Sequence, residues 1–342
     1  MAEHARDDET LRAGIVGAGL MGRWHADAVA RAGGAVVAVA DVDAASAQRL
    51  AARHGGAVPY ETLEAMLAQA RLDVLHVCTP LGTHEAVALQ GIGAGVNLLV
   101  EKPLAPSAAQ ARHLYEQAQA RGVLLCPVLQ FNFQDGVRRA RAWWPRLGHL
   151  VHMEATVRSA GAAGKSDAQR DAILADVLPH PLSLIETFLP GGLSGGAGWH
   201  AAHPAPGELH AVGRAAGCAL SIRISMNGRP TACAFQIVGT EGMIELNLFH
   251  GYAVFHPGAV SRARKVAAPF GQALRGLAAA SLNLSRRAVR REPAYPGLRP
   301  LVRAFYGAVR TGGPAPLAPE LVLAAAAERD RLVERAELLS HA

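Results

Sequence analysis

The segment "LRAGIVGAG" (11–19), followed by "LMGRWHADAVARAG" (20–33), decides the fold of the first part of the chain. An apolar run enters a glycine-rich turn, and a helical pattern follows directly. Gly17, Gly19 and Gly22 have the spacing GxGxxG. After a strand, the first glycine makes the tight turn, the second lets a pyrophosphate approach the backbone, and the third lets helix and strand pack closely. The same spacing also fits a plain tight turn.

An acidic residue at the end of the next apolar run favours a dinucleotide site. Asp41 lies 19 residues after Gly22, close to the separation of about 20 residues expected for the acid that binds the ribose. A carboxylate there accepts hydrogen bonds from both ribose hydroxyls and repels a 2′-phosphate, so NAD is expected rather than NADP. Asp41 and Asp43 also fit turn or helix-cap positions that need no cofactor.

The first third of the chain alternates short apolar runs with helical patterns, as βαβ units do. The strands expected after the first are "AVVAVADVD", "LDVLHVCTP", "VNLLVEKP" and "GVLLCPVLQ". Their apolar residues are consecutive, which suits strands buried on both faces of a parallel sheet. We therefore predict an α/β protein in which residues 1–130 form a Rossmann domain, a doubly wound parallel sheet that binds a dinucleotide.

The remainder, residues 131–342, has a different pattern. It begins with the helix "DGVRRARAWWPRLG", and polar and apolar residues then alternate in runs from "HLVHMEATVRS" to "YAVFHP". Such alternation indicates a largely antiparallel sheet with one covered face. The tail from "YPGLRP" returns to a helical pattern. We predict a C-terminal α/β domain with an open sheet for substrate binding and oligomerisation, whose last helices can pack back on the Rossmann domain.

Composition and spacing narrow the class of protein. Half of the 342 residues are apolar and no polar low-complexity tract occurs, so we expect a folded globular protein. The first ten residues, "MAEHARDDET", lack the basic and apolar regions of a signal peptide, and a cytoplasmic protein is expected. The four cysteines are scattered without a CxxC pair, and the histidines show no HxxxH or HExxH spacing, so we expect no metal site.

Two short motifs, "CTP" (78–80) and "EKP" (101–103), each end a predicted strand. Ligands of open parallel sheets bind at the carboxyl ends of the strands, so Thr79, Glu101 and Lys102 are expected to face the cofactor. A partly dehydrated lysine there can exchange a proton or hold a hydroxyl, whereas arginine does not deprotonate. The alternative is a lysine that extends from the strand end into solvent beside Glu101.

Several motifs together resemble those of a known family. "GIVGAGLMGRWHADAV", "CTPLGTH", "EKPLA" and a downstream Asp176-x-x-x-His180 occur in order. They resemble the Gfo/Idh/MocA family of NAD(P)-dependent oxidoreductases, tightly over residues 12–130 and more loosely beyond. The resemblance implies a Rossmann domain followed by an α/β domain whose open sheet packs against substrate and a partner subunit, hence a homodimer or tetramer. The resulting set of expected cofactor contacts is Gly17, Gly19, Leu20, Met21, Gly22, Asp41, Thr79, Pro80, His84 and Glu101.

The prolines in "ILADVLPHPLSLIETFLPGG" predict where a helix begins. Proline is tolerated in the first turn of a helix, so we expect a start near Asp176, with His180 one turn later, and an end before Pro190. From the residues alone, Asp176 fits an N-cap and His180 an ordinary histidine. The resemblance implies instead that both complete a catalytic group with Lys102.

The resemblance also implies a reaction. It is hydride transfer to or from a secondary alcohol or ketone of a sugar, cyclitol or nucleotide-sugar derivative, with NAD(H). His180 or Lys102 would remove the hydroxyl proton, Lys102 would stabilise the alkoxide, and Asp176 would orient His180 or bind the substrate. Asn132 stands near a place where many relatives have arginine or tyrosine, which weakens the case for an anionic sugar acid. Two other functions stay open: an NAD-dependent glycoside hydrolase with transient internal redox, and a dinucleotide-binding sensor without catalysis.

A basic segment, residues 261–292, stands apart from the rest of the chain. It carries eight lysines and arginines against Glu292 alone, a net charge of +7, while the whole chain carries +6. The other residues sum to −1, so we expect no nucleic-acid partner. Three interpretations remain: a pair of solvated helices or a lid, an arginine site for phosphate or a nucleotide diphosphate, and membrane-surface contact through interleaved leucines.

Overall fold

The computed structural model describes residues 10–258 and 262–338, without the side chains of residues 262–265. The chain divides into two compact units: Met1–Leu129 with Leu298–Ala326, and Gln130–Gly297 with Ala327–Ala342. Within the described ranges, no helix is both long and apolar enough to cross a membrane.

The first unit is built on a six-stranded parallel sheet with the order β3-β2-β1-β4-β5-β6. This order confirms the predicted doubly wound Rossmann sheet. Strand β1 pairs with both β2 and β4, so its carboxyl end lies at the point where the strand order reverses. The elements are β1 Leu11–Val16, α1 Leu20–Arg31, β2 Gly34–Ala40, α2 Ala44–Ala51, β3 Val58–Tyr60, α3 Leu63–Gln69, β4 Val74–Val77, α4 His84–Gly93, β5 Asn97–Val100, α5 Ala108–Arg121 and β6 Leu125–Pro127.

Strand β3 is the one strand of this sheet that the sequence does not indicate. It has only three residues, and Pro59 in its middle interrupts the apolar pattern. Proline lacks the N–H that a central strand needs, but an edge strand tolerates it. The edge position of β3 therefore explains both its short length and its weak sequence signal.

The second unit contains a seven-stranded sheet with the order β13-β12-β11-β7-β10-β9-β8. All neighbouring strands are antiparallel except β7 and β10, which run parallel, so the predicted largely antiparallel sheet is confirmed. Buried and exposed residues alternate along β10, as one covered face requires. The elements are α6 Asp135–Trp143, β7 Leu150–Arg158, α7 Asp167–Val177, α8 Pro179–Phe188, β8 His200–Ala202, β9 Glu208–Ala215, β10 Cys218–Ser225, β11 Ala232–Gly239, β12 Gly242–Asn247, β13 Tyr252–Pro257 and α9 Arg262–Val289.

Helix α9 corrects one expectation for the basic segment. The segment forms a single helix of 28 residues instead of a pair of helices. Pro269 lies inside this helix, near its N-terminal end. Proline removes one backbone hydrogen bond, which a long helix with many other bonds tolerates.

Two further helices follow, α10 Leu298–Thr311 and α11 Pro319–Arg335. The predicted helical tail is therefore confirmed. Helix α10 packs against α1 in the first unit, and its buried residues include Leu301, Phe305 and Tyr306. The residues of α11 up to Ala326 belong to the same unit.

Candidate functional site

The three glycines of the turn between β1 and α1 have three different environments. A Cβ on Gly17, whose φ is +92°, would lie 2.5 Å from the carbonyl oxygen of Cys78. A Cβ on Gly22 would lie 1.9 Å from the carbonyl oxygen of Gly17. A Cβ on Gly19 would meet no atom within 4 Å. The folded chain therefore needs glycine at the first and third positions, while the second leaves space beside the backbone.

Asp41 directly follows β2 and faces this turn. Its Oδ2 accepts a hydrogen bond from the N–H of Ala18 at 2.6 Å, and its Oδ1 accepts one from the N–H of Asp43 at 2.9 Å. Asp43 is the N-cap of α2, which is one of the two positions expected for it, a turn or a helix cap. An ionised carboxylate has about four acceptor positions, so Asp41 keeps capacity for two further donors.

A cleft of about 850 Å³ extends from the glycine turn along the strand ends, a volume within the usual range for small-molecule sites. Seven residues of the predicted cofactor set line it: Gly17, Gly19, Leu20, Met21, Asp41, Thr79 and Pro80. The lining of the cleft does not include Gly22, His84, Glu101 or Lys102. The sequence did not single out Val42, Thr62 and Gln90, which also line the cleft.

The first turn of α1 adds hydrogen-bond donors to this cleft. The N-cap is Gly19, and no side chain caps the helix there. The first N–H groups of a helix have no partners within it, and the helix N-terminus carries a partial positive charge. An anionic group such as a pyrophosphate matches both properties.

His84 joins the loops that follow β4 and β5. Its Nε2 lies 2.8 Å from the carbonyl oxygen of Thr79, and its Nδ1 lies 2.8 Å from that of Pro103. The side chain is buried and stands at the first position of α4. His84 thus links the loop that contains "CTP" to the loop that contains "EKP".

A buried network of polar side chains continues from Glu101; we call Glu101, His25, His76 and Tyr306 the histidine network. Oε1 of Glu101 lies 3.0 Å from Nε2 of His25, the Nδ1 atoms of His25 and His76 are 2.8 Å apart, and Nε2 of His76 is 2.9 Å from the Tyr306 hydroxyl. Oε2 of Glu101 accepts a hydrogen bond from the backbone N–H of Lys102 at 3.2 Å. Each of the four residues is at most 8% exposed.

Burial shifts the pKa of two members of the network, His76 and Tyr306. It lowers the pKa of His76 well below the usual 6.5, and the neighbouring His25 lowers this pKa further. Burial also raises the pKa of the Tyr306 hydroxyl, which stays protonated. A neutral His76 ring donates from one nitrogen and accepts at the other, so it can bond to Tyr306 and to His25 at the same time. Each side chain of the network therefore has a hydrogen-bond partner within it.

Two members of this network, His76 and Tyr306, were not predicted from the sequence to have a role. His76 stands inside the apolar run "LDVLHVCTP", and Tyr306 is 230 residues away on α10. A histidine within a strand buried on both faces was the available signal, because a buried ring nitrogen needs a partner. Nothing local identifies Tyr306 as that partner.

In the second unit, Asp176 lies in the last turn of α7, so its predicted N-cap position is wrong. The N-cap of α7 is Ser166, which forms a capping box with Gln169. Leu178 continues the helical conformation into α8, whose first turn contains the prolines as expected. Helix α8 ends at Phe188, before Pro190.

His180 is buried on α8 and stacks on Phe131, with ring centroids 4.2 Å apart and planes inclined by 24°. Asn132, the residue after Phe131, is bonded to the same helix. Its Nδ2 donates to Oγ of Ser183 at 3.0 Å, and its Oδ1 accepts from Oγ1 of Thr187 at 2.6 Å. These contacts fix the segment that contains Phe131 and Asn132 against the helix that carries His180.

The model of an oxidoreductase family with an NAD-binding Rossmann fold matches residues 11–128. Over that region the match confirms the predicted resemblance to the Gfo/Idh/MocA family. The predicted dinucleotide cofactor agrees with the description of this family.

Relatives with similar sequences include two named inositol 2-dehydrogenases. The inositol 2-dehydrogenase 4 of Saccharopolyspora erythraea is 39% identical over 161 residues, which are 45% of this chain and 43% of that protein. The inositol 2-dehydrogenase of Acidothermus cellulolyticus is 30% identical over 188 residues, 52% of this chain and 53% of that protein. The chain thus spans about half the length of these relatives.

A solved structure of levoglucosan dehydrogenase, in complex with NADH and levoglucosan, is similar over nearly the whole chain. The TM-score is 0.79 at 18% sequence identity, and the match covers 96% of this chain and 98% of that one. At this level of identity, the similarity establishes the fold.

Proposed function

We propose that the protein is an NAD(H)-dependent oxidoreductase that transfers a hydride to or from a secondary alcohol or ketone of a sugar, cyclitol or nucleotide-sugar derivative. The observation that carries the proposal is the cleft over the strand ends, where Gly19 leaves space beside the backbone and Asp41 faces the turn. Both features match the needs of a dinucleotide, because the pyrophosphate must approach the backbone and the ribose needs an acceptor near the turn.

The residues of the cleft fit NAD in three respects. The uncapped N-terminus of α1 supplies donors for a pyrophosphate. The open side of Gly19 lets that group approach the backbone. Asp41 retains acceptor capacity for ribose hydroxyls, and its negative charge disfavours the 2′-phosphate of NADP.

The substrate class rests on relatives of this chain. Two of them are named for the oxidation of inositol, a cyclitol, and a protein of the same fold binds NADH together with the sugar derivative levoglucosan. A polyhydroxylated ring is therefore the substrate that the proposal favours.

In the proposed mechanism the nicotinamide, when bound, exchanges the hydride with the substrate carbon. Lys102 donates a hydrogen bond from Nζ to the substrate oxygen and stabilises the negative charge that develops there. The imidazole of His180, or Nζ of Lys102, takes the hydroxyl proton, and Asp176 orients His180 or binds the substrate. Glu101 acts through Lys102, because its carboxylate holds the backbone N–H of that residue.

The near-ultraviolet absorbance of reduced nicotinamide tests the proposal on purified protein with NAD and a panel of inositols, polyols, sugars and nucleotide sugars. Net formation of NADH with any of these compounds is the expected result. Cleavage of a glycoside without net NADH would replace the proposal with the hydrolase function. Bound dinucleotide without any turnover would leave the sensor function.

A further inference from the structure

Helix α9 exposes a row of large apolar side chains. Val266, Phe270, Leu274, Leu277 and Leu284 are between 65% and 78% exposed; we call these five residues the apolar stripe. Their spacings of four, four, three and seven residues place them on one face of the helix. In a folded protein such a continuous apolar row indicates a surface that another body covers.

The opposite side of α9 holds the helix on the second unit. Leu282 and Ala279 line a hollow of about 440 Å³ together with Phe255 of β13. Nδ2 of Asn283 donates to the carbonyl oxygen of His250 at 3.0 Å, and Arg287 donates to that of Pro293 at 2.8 Å. The C-terminal part of the helix is therefore fixed on its other side, and the side chains of the apolar stripe face outward.

The charge that α9 itself carries is positive, and Asp135 of α6 pairs with Arg290 beyond its C-terminal end at 2.9 Å. Residues 262–289 contain no aspartate or glutamate, and Glu292, the single acidic residue of the basic segment, is only 9% exposed. Burial lowers the pKa of Arg139 on α6, the nearby Arg286 lowers this pKa further, and Asp135 acts in the opposite direction. Lysines and arginines precede the apolar stripe at residues 262–265 and follow it at residues 286–291.

We propose that α9 docks the protein on an anionic membrane surface. The helix lies parallel to the bilayer, the apolar stripe enters the boundary between headgroups and acyl chains, and the flanking basic residues contact anionic lipid headgroups. A helix of 28 residues is about 42 Å long, which is long enough for such contact along its whole length.

Charge favours a membrane over a second copy of this chain. A pair of copies joined through their apolar stripes would bring two segments of net charge +7 together, and like charges oppose such contact. An anionic lipid surface complements both the stripe and the cations. The membrane interpretation of the basic segment is therefore the one that the structure supports.

Vesicle flotation of the full chain tests the proposal. The vesicles contain phosphatidylcholine alone or with about 30% phosphatidylglycerol. The test variant is Phe270→Glu with Leu277→Glu. The control is Val58→Glu with Val212→Glu, which makes the same change of charge at exposed apolar positions outside α9. Retained binding of NADH shows that each variant is folded.

The expected result is at least about ten-fold more protein on the anionic vesicles, with weaker binding at roughly 0.5 M salt. The stripe variant should lose this binding about ten-fold and the control variant should keep it. Absence of binding to either vesicle, or equal loss in both variants, would overturn the proposal. So would a native dimer that the stripe variant alone converts to monomer, because a second copy would then cover the stripe.

Discussion

The histidine network of the first unit and the apolar stripe of α9 distribute polarity in opposite ways. In the network, four polar residues are at most 8% exposed, and their side chains bond to one another. In the stripe, five apolar side chains are at least 65% exposed, and basic residues stand at both ends. One region hides polar atoms inside the protein, and the other presents apolar atoms outside it.

The difference indicates where each region meets another molecule. A buried polar atom that loses its partner costs about 1–3 kcal/mol, and a large apolar side chain left exposed forgoes a similar stabilisation. Proteins retain buried polar clusters and exposed apolar rows mainly at functional sites. Glu101 of the network bonds to the backbone N–H of Lys102, at the candidate site, whereas the stripe belongs to α9 of the second unit.

The largest expected effect is at Lys102, where the network reaches the proposed chemistry. Lys102→Met should lower turnover by about 10²- to 10⁴-fold, because the variant cannot exchange a proton or stabilise an alkoxide. Steady-state rates and NADH affinity, measured on the same preparation, separate catalysis from binding. Lys165→Met is the matched control at an exposed lysine and should retain full activity. Equal activity of Lys102→Met and the control would remove the catalytic role.

The next largest effect is a loss of stability when the histidine network is broken at His76. His76→Leu leaves His25 and Tyr306 each without one hydrogen-bond partner, so the free energy of unfolding should fall by about 1–3 kcal/mol for each. Adding Tyr306→Phe to the same chain removes the hydroxyl that His76→Leu leaves without its partner. In denaturant unfolding, the double variant should therefore lose less free energy of unfolding than the sum of the losses of the two single variants. Additive losses would mean that the two side chains are not coupled.

The same histidine predicts a dependence of stability on pH. Burial lowers the pKa of His76 well below 6.5, so below pH 6.5 the unfolded chain binds a proton that the folded protein does not. The free energy of unfolding should fall as the pH drops through this range, by up to about 1.4 kcal/mol per pH unit from this residue. His76→Leu should show a shallower fall between pH 7 and pH 5. Identical slopes would contradict the buried, neutral state of His76.

Substitutions at two glycines of the turn between β1 and α1 should affect NADH affinity and stability separately. Gly19→Ala places a methyl group in open space at a φ of −68°, so the free energy of unfolding should stay within about 0.5 kcal/mol while NADH affinity falls about ten-fold or more. Gly22→Ala meets backbone and should cost about 1–3 kcal/mol of stability. Thermal unfolding and NADH fluorescence distinguish the two. Unchanged affinity in Gly19→Ala would show that no pyrophosphate approaches this turn.

Asp41→Ala should reduce the preference for NAD over NADP by about ten-fold, because the repulsion of a 2′-phosphate is lost. The ratio of the two affinities is the correct measure. Asp41 also holds the N–H groups of Ala18 and Asp43, so its loss weakens the turn for both cofactors alike. A constant ratio would place Asp41 outside the ribose site.

The smallest effect belongs to α9 and completes the comparison. Phe270→Glu should change the free energy of unfolding by less than about 0.5 kcal/mol, since the side chain is 76% exposed. Chemical denaturation of this variant and of His76→Leu gives the contrast directly. A large loss of stability in Phe270→Glu would mean that the stripe packs within this protein and needs no external surface.

Local patterns were enough to predict much of the first unit. The turn from β1 into α1, the strands that follow and Asp41 each depend on residues close in sequence. The right-handed βαβ connection restricts the possible orders of the strands, and the structure gives the order. The strand β3 was missed because a proline and a length of three residues erase its pattern. The network was missed because His76 meets Tyr306 from 230 residues away.

In the second unit, the sequence predicted the sheet better than the helices. Alternating polarity marked the strands clearly. The prolines at 179 and 181 suggested a helix that starts near Asp176, but Asp176 lies in the last turn of α7, and the prolines lie in the first turn of the next helix, α8. The capping box of Ser166 and Gln169 was the stronger signal. Composition predicted the positive charge of α9, and only the fold shows which of its apolar side chains face outward.

The most direct test of the proposed oxidoreductase is isotope transfer. The protein is incubated with NAD and with polyols and inositols that carry deuterium on their hydroxyl-bearing carbons, and the recovered cofactor is analysed by mass spectrometry. Direct hydride transfer predicts deuterium on the reduced nicotinamide, and none with Lys102→Met. Cofactor recovered without deuterium from every compound, although NADH binds to the cleft, would contradict the account.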